Sequence, residues 1–196
     1  MVSQNYSQAA QDLFVLSCLN GKQNGTFLDL GCNDGISINN TYLLESVFGW
    51  TGLSMDIENR FASSFENRKS TFLNRDCVNL NYDEVLSYYK SNHIDYLSLD
   101  LEPASVTYEC LQNIPFDRIE FSVITFEHDS YRFGNGYRDL SRDIFKQAGY
   151  ELVCSDVSNG ENIYEDWYYN PKYVKSNFIA PLQCDSNNWS SIVYSV

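Results

Sequence analysis

Along the chain, short runs of apolar and β-branched residues alternate with stretches in which apolar positions recur every three or four residues. The runs Thr26–Gly31, Thr51–Asp56, Ser70–Leu73, Ile94–Asp100, Arg118–Glu127 and Glu151–Cys154 predict β-strands. Between them, Leu43, Leu44, Val47 and Phe48 fall on one helical face closed by Gly49. Asn81 followed by Glu84 reads as a capping box ahead of Val85, Leu86 and Tyr89. Leu140, Ile144, Phe145 and Ala148 make a further face, ended by Gly149. This alternation predicts an α/β layered fold, a mostly parallel sheet with helices on both faces. Such sheets bind ligands outside the carboxyl ends of their strands. The residues at those ends are Asp29 to Gly35, Asp56, Asp76, Asp100 to Glu102, and Glu127 to Asp129. One acid at a strand end commonly caps the next helix. Carboxylates at all five ends ask for a second explanation.

Composition narrows the class. A chain of 196 residues suits a single domain with its own core. That domain is expected to run over 1–196, with 1–25 as a helical lead-in and 156–196 holding an aromatic segment and the last strands. Hydrophobic residues at 43%, with only 4 prolines and 10 glycines, exclude disorder and low-complexity sequence. A net charge of −13 repels phosphate backbones and anionic lipid. No nucleic-acid or membrane partner is therefore expected, and the substrate should be neutral or cationic. The six cysteines are scattered with no C-x-x-C pair, which predicts free buried thiols in a reducing cytoplasm and no zinc site. The start Met-Val-Ser-Gln lacks a signal-peptide pattern, and no apolar run nears the roughly 18 residues of a membrane helix.

The most informative stretch is Phe27-Leu-Asp-Leu-Gly-Cys-Asn-Asp-Gly35, an apolar strand entering a glycine-bearing turn, with a helix expected to start near Ser37. Gly31 and Gly35 would permit positive φ and a close ligand approach, and the helix N-terminus would add free N–H groups. The stretch does not match the G-x-G-x-x-G dinucleotide fingerprint. It resembles instead the D/E-x-G-x-G-x-G turn of S-adenosylmethionine-dependent methyltransferases, with Asn33 where the middle glycine often sits. Asp56, closing the second strand, stands where an acid accepts hydrogen bonds from ribose hydroxyls. Asp76 is placed to accept from an adenine amino group, with the Cys77 backbone beside the ring.

Further residues carry a more specific resemblance. Trp50-Thr-Gly-Leu-Ser-Met-Asp56, following Gly31-Cys-Asn-Asp-Gly35 and Asn40-Thr-Tyr-Leu-Leu-Glu45, is similar to the FkbM-type methyltransferases. So are Ser7-Gln8 with Gln11-Asp12, Asp95-Tyr-Leu-Ser-Leu-Asp-Leu-Glu102, Ile124-Thr-Phe-Glu-His128, and Tyr164-Glu-Asp-Trp167 with Pro171. Two departures are Cys32 for the commoner Ala and Pro103 for Gly, with Ser105 where a second Glu often stands. Proline suits the first helical position, so only the substrate side would change. The resemblance implies a class I methyltransferase fold, a Rossmann-like three-layer sandwich of about seven strands. It also implies S-adenosylmethionine as cofactor, held by Asp29, Gly31, Cys32, Asn33, Gly35, Asp56, Asp76 and Cys77. The implied reaction is O-methylation of a hydroxyl, often on a sugar.

Methyl transfer to a hydroxyl needs a base within reach of the acceptor proton. His128, beside Glu127 and Asp129 at the end of the fifth strand, is the expected base, since an ordinary imidazole titrates near neutrality. Asp100 is the other candidate. Glu102, Asp129 and Trp167 are expected to position the acceptor, and Trp167 belongs to a run with Tyr164, Tyr168, Tyr169 and Tyr173 suited to stacking on sugar faces. His93 reads as a surface residue. Two alternatives remain: a non-catalytic cofactor-binding module, and a nicotinamide-dependent oxidoreductase using Tyr168-x-x-x-Lys172, a spacing that Pro171 would interrupt on a helix.

Overall fold

The computed structural model describes residues 5–182, 187–192 and 194. Seven strands form one sheet: β1 (Thr26–Leu30), β2 (Thr51–Asp56), β3 (Thr71–Asn74), β4 (His93–Leu99), β5 (Glu120–Glu127), β6 (Glu151–Ser158) and β7 (Ile163–Tyr169). Their order is β3-β2-β1-β4-β5-β7-β6. β1 to β5 pair in parallel, and β7 runs antiparallel between β5 and β6. The six strands read from local runs are present, and β7 lies in the 156–196 segment expected to hold the last strands.

Strand alternation sends neighbouring side chains to opposite faces. Phe27, Tyr96, Val123 and Trp167 face a core that contains helices α1 (Gln11–Cys18) and α2 (Tyr42–Ser46). Leu28, Leu30, Leu97, Leu99, Ile124 and Phe126 face the opposite core, under α3 (Tyr82–Tyr89), α4 (Ala104–Gln112) and, beyond the four-residue α5 (Ser130–Phe133), α6 (Gly136–Gln147). A short α7 (Ser176–Ile179) packs on α1. Asn81 caps α3 as expected, its Oδ1 accepting the Asp83 N–H at 3.1 Å. On the predicted helical faces, Val47 and Leu140 are exposed, while Leu44 and Phe145 carry the packing. Pro103 occupies the N-cap of α4 rather than its first turn.

Among the described residues no helix is long and apolar enough to cross a membrane. Cys18, Cys32, Cys77 and Cys110 are free and buried. Cys154 is disulfide-bonded, which corrects the expectation of six free thiols. Disulfides persist in oxidising compartments, so cysteine usage no longer argues for a reducing one. Cys184 lies outside the described residues.

Candidate active site

A cavity of about 500 Å³ opens at the carboxyl edge of the sheet, and Asp29, Gly31, Asp56, Asp76, Asp100, Glu102, Glu127 and Asp129 all line it. Cys32, Asn33, Cys77 and Tyr164 line it too. Residues far apart in the chain thus meet as the strand-end rule requires.

The turn after β1 is built by tertiary contacts. Gly31 takes φ +85°, and the N–H groups of Gly31 and Cys32 donate to the Met55 carbonyl at 2.9 and 3.1 Å. A Cβ on Gly31 would lie 1.9 Å from the carbonyl oxygen of Asp100, so the approach of the β4 end alone demands glycine. Asn33 adopts φ +50° where a glycine was the expected residue, and its N–H donates to Asp56 Oδ2 at 3.0 Å. Gly35 does not line the cavity; its N–H donates to Ser64 Oγ at 2.8 Å.

The expected helix near Ser37 is replaced by a loop that runs to Tyr42. Asp34 Oδ1 accepts the N–H groups of Ile36 and Ser37 at 2.9 and 2.8 Å, and Asn39 Nδ2 donates to the carbonyls of Cys32 and Asp34. Such side-chain bonds compete with helix initiation. The loop is closed from behind by Arg68, which the sequence did not single out. Its side chain is buried, donates to the Gly35 carbonyl and to Thr41 Oγ1, and pairs with Glu45 at 3.0 Å. Asp29 accepts from the Thr41 hydroxyl at 3.0 Å. Burial raises its carboxyl to about 6 against the lowering effects of Thr41 and Arg68.

Asp56 accepts two backbone N–H groups, from Asn33 on Oδ2 and from Glu58 on Oδ1 at 2.8 Å, which fixes the carboxylate while leaving lone pairs toward the cavity. Asp76 is exposed and accepts from the Val78 N–H at 3.0 Å. Ile57 lines the cavity while 72% exposed, an apolar side chain open to a ligand.

At the β4 and β5 ends, Asp100 and Glu127 share a hydrogen bond. Burial first, then the charge of Asp100, holds the Glu127 proton well above the usual carboxyl range. Burial also raises Asp100, while the bond from Glu127 lowers it. The two carboxyls therefore titrate as one pair in which a proton is shared. Asp129, buried and at φ +47°, is raised by burial and by the neighbouring Glu102. Arg132 lies 3.2 Å from Glu102 and 3.4 Å from Asp129. Carboxylate oxygens of Glu102, Glu127 and Asp129 lie within 4.8 Å of one another, a set that could hold a divalent cation through oxygen. His128, Asp156 and Asp166 also converge, but Arg138 and Arg142 already neutralise those aspartates.

Several expected site residues lie elsewhere. His128 is fully buried and does not line the cavity, because β7 covers it. Its Nδ1 accepts the Ser130 N–H at 3.2 Å and its Nε2 faces Asp166 at 3.6 Å. Trp167 is fully buried, stacked on Phe14 at 4.7 Å, with its indole N–H donating to Glu165. Of the aromatic run only Tyr164 reaches the cavity. His93 is half-buried, bonded to Ser122 and stacked on Tyr173 at the opposite edge of the sheet. Tyr168 and Lys172 do not form a dyad: the tyrosine hydroxyl donates to Asp166 and the lysine pairs with Glu120. Gln8, Asn40, Arg60, Arg75, Asn159 and Asn162 line the cavity without having been read as site residues. Gln8 and Asn40 lay in stretches the sequence had marked.

No protein-family model matches the sequence, and no curated protein does so either. Solved structures match in fold. An rRNA methylase from Streptococcus thermophilus superposes with a TM-score of 0.53 at 11% identity, over 87% of this chain and 99% of that one. Magnesium protoporphyrin IX methyltransferase from Synechocystis, solved with bound S-adenosylmethionine, gives 0.56 at 12%, over 81% and 76%. A Streptococcus mutans protein in complex with S-adenosylhomocysteine gives 0.53 at 12%, over 86% and 99%. The chain has the class I methyltransferase fold.

Proposed function

We propose that this protein is an S-adenosylmethionine-dependent methyltransferase of FkbM type that O-methylates a hydroxyl of a sugar or glycan. The observation that carries this reading is the joining, in one cavity, of the Gly31–Asn33 turn and Asp56 to the Asp100–Glu127 pair. The donor set suits the cofactor: Asp56 offers acceptors to a ribose diol, Ile57 an apolar face, and Asp76 an acceptor at the far wall. When bound, the cofactor supplies a methyl group on a positively charged sulfur. The chain's own residues supply the rest. Asp100, hydrogen-bonded to Glu127 at the cavity wall, is the group that takes the acceptor proton. Glu127 positions Asp100 through their shared hydrogen bond, while Glu102 and Asp129 orient further hydroxyls. His128 takes a positioning role, holding the Asp129–Ser130 turn through Nδ1.

A net charge of −13 supports a neutral acceptor over nucleic acid, although some fold neighbours act on RNA. The test is transfer of labelled methyl from S-adenosylmethionine to a panel of neutral glycans and RNA. Label on a glycan hydroxyl is expected. Label on RNA alone, or none on any hydroxyl, would refute the reading.

A further inference from the structure

In the strap Ser7–Asp12 one side chain stands apart. Ser7, Ala9, Ala10, Gln11 and Asp12 are buried, whereas Gln8 is exposed and lines the cavity. The strap is fixed on both sides of that residue. Asp12 accepts the Tyr6 N–H and the Ser7 hydroxyl, each at 2.9 Å. Gln11 accepts the Ala9 N–H at 2.8 Å and donates to Glu165 of β7 at 2.9 Å. The Asn39 N–H donates to the Tyr6 carbonyl at 3.0 Å.

Gln8 is therefore held in place entirely by its neighbours. Among the described residues nothing hydrogen-bonds its amide, a group that both donates and accepts. Asn162, before β7, also lines the cavity with an uncommitted side-chain amide, next to Tyr164. The strap thus bridges Glu165 of β7, through Gln11, and the loop after β1, through Tyr6, which sets Gln8 over the cavity between them. Two neutral amides near a carboxylate floor suit hydroxyls rather than charged groups.

We propose that Gln8, together with Asn162, contacts the acceptor directly, hydrogen-bonding hydroxyls of a neutral, polyhydroxylated molecule at the cavity rim. This rests on the glycan reading above. The experiment places wild type, Gln8→Ala and Asn162→Ala, each saturated with S-adenosylhomocysteine, on an array of neutral glycans, with calorimetry of S-adenosylhomocysteine in parallel. The wild type should retain a subset of glycans, and both variants should weaken those same glycans at least tenfold. Cofactor affinity should stay within twofold. Unchanged glycan binding by Gln8→Ala would overturn the proposal. A tenfold loss of S-adenosylhomocysteine affinity would overturn it as well, by assigning the amide to the cofactor. A wild type that binds S-adenosylhomocysteine but no glycan would refute the glycan reading itself, and the role of Gln8 with it.

Discussion

The two halves of the cavity use the same residue type and hold it in different ways. Over β1 to β3, Asp56 and Asp76 accept backbone N–H groups and Asp29 accepts a hydroxyl, so each carboxylate is fixed by donors. Over β4 and β5, Asp100, Glu127, Asp129 and Glu102 face one another, with Arg132 as their only ion-pair partner among the described residues. Donor-fixed carboxylates serve as static acceptors. Mutually facing ones must share protons, and that makes them able to move one.

The largest effect should come from the point where the halves touch. Gly31→Val would drive a side chain into the Asp100 carbonyl and should cost about 3 kcal/mol or more, read as a lowered urea midpoint. A stable variant would break the claim that the β4 end dictates this glycine. On the β4–β5 side, Asp100→Asn should lower methyl transfer by about 10² to 10⁴ while leaving cofactor affinity intact. His128→Asn, whose amide oxygen can still accept the Ser130 N–H, should stay within about threefold of wild type. A reversed order would return the base to His128. On the β1–β3 side, Asp56→Ala should weaken S-adenosylmethionine binding by about 1.5–3 kcal/mol, measured by calorimetry.

The smallest effect concerns a carboxyl behind the acceptor wall. Burial raises Glu165 to about 8 despite bonds from Trp167 and Gln11. The folded state thus binds a proton that the unfolded chain releases near 4.5. Stability should fall as pH rises between these values and level off above the upper one. Glu165→Gln keeps an acceptor for both donors, so it should flatten that slope and gain about 1–2 kcal/mol at pH 8. Thermal melts from pH 5 to 9 check both.

What the sequence disclosed follows the same division. Strands, their acidic ends and the Asn81 cap were legible because alternation and capping are local. That Asp29, Asp56, Asp100 and Glu127 share one cavity followed from one topological rule. Arg68 was not legible, since its role depends on Gly35, Thr41 and Glu45 closing around it. His128 and Trp167 were misplaced because their burial is set by tertiary contacts: His128 faces Asp166 of β7, and Trp167 stacks on Phe14 of α1. Position at a strand end does not reveal which face of that end is covered.

Calorimetric titration of the wild-type protein with S-adenosylhomocysteine and with NADH tests the central claim most directly. One equivalent of S-adenosylhomocysteine should bind, with affinity weakened in Asp56→Ala, and NADH should produce no heat. Binding of NADH, or S-adenosylhomocysteine affinity unchanged by Asp56→Ala, would contradict the assignment of this cavity.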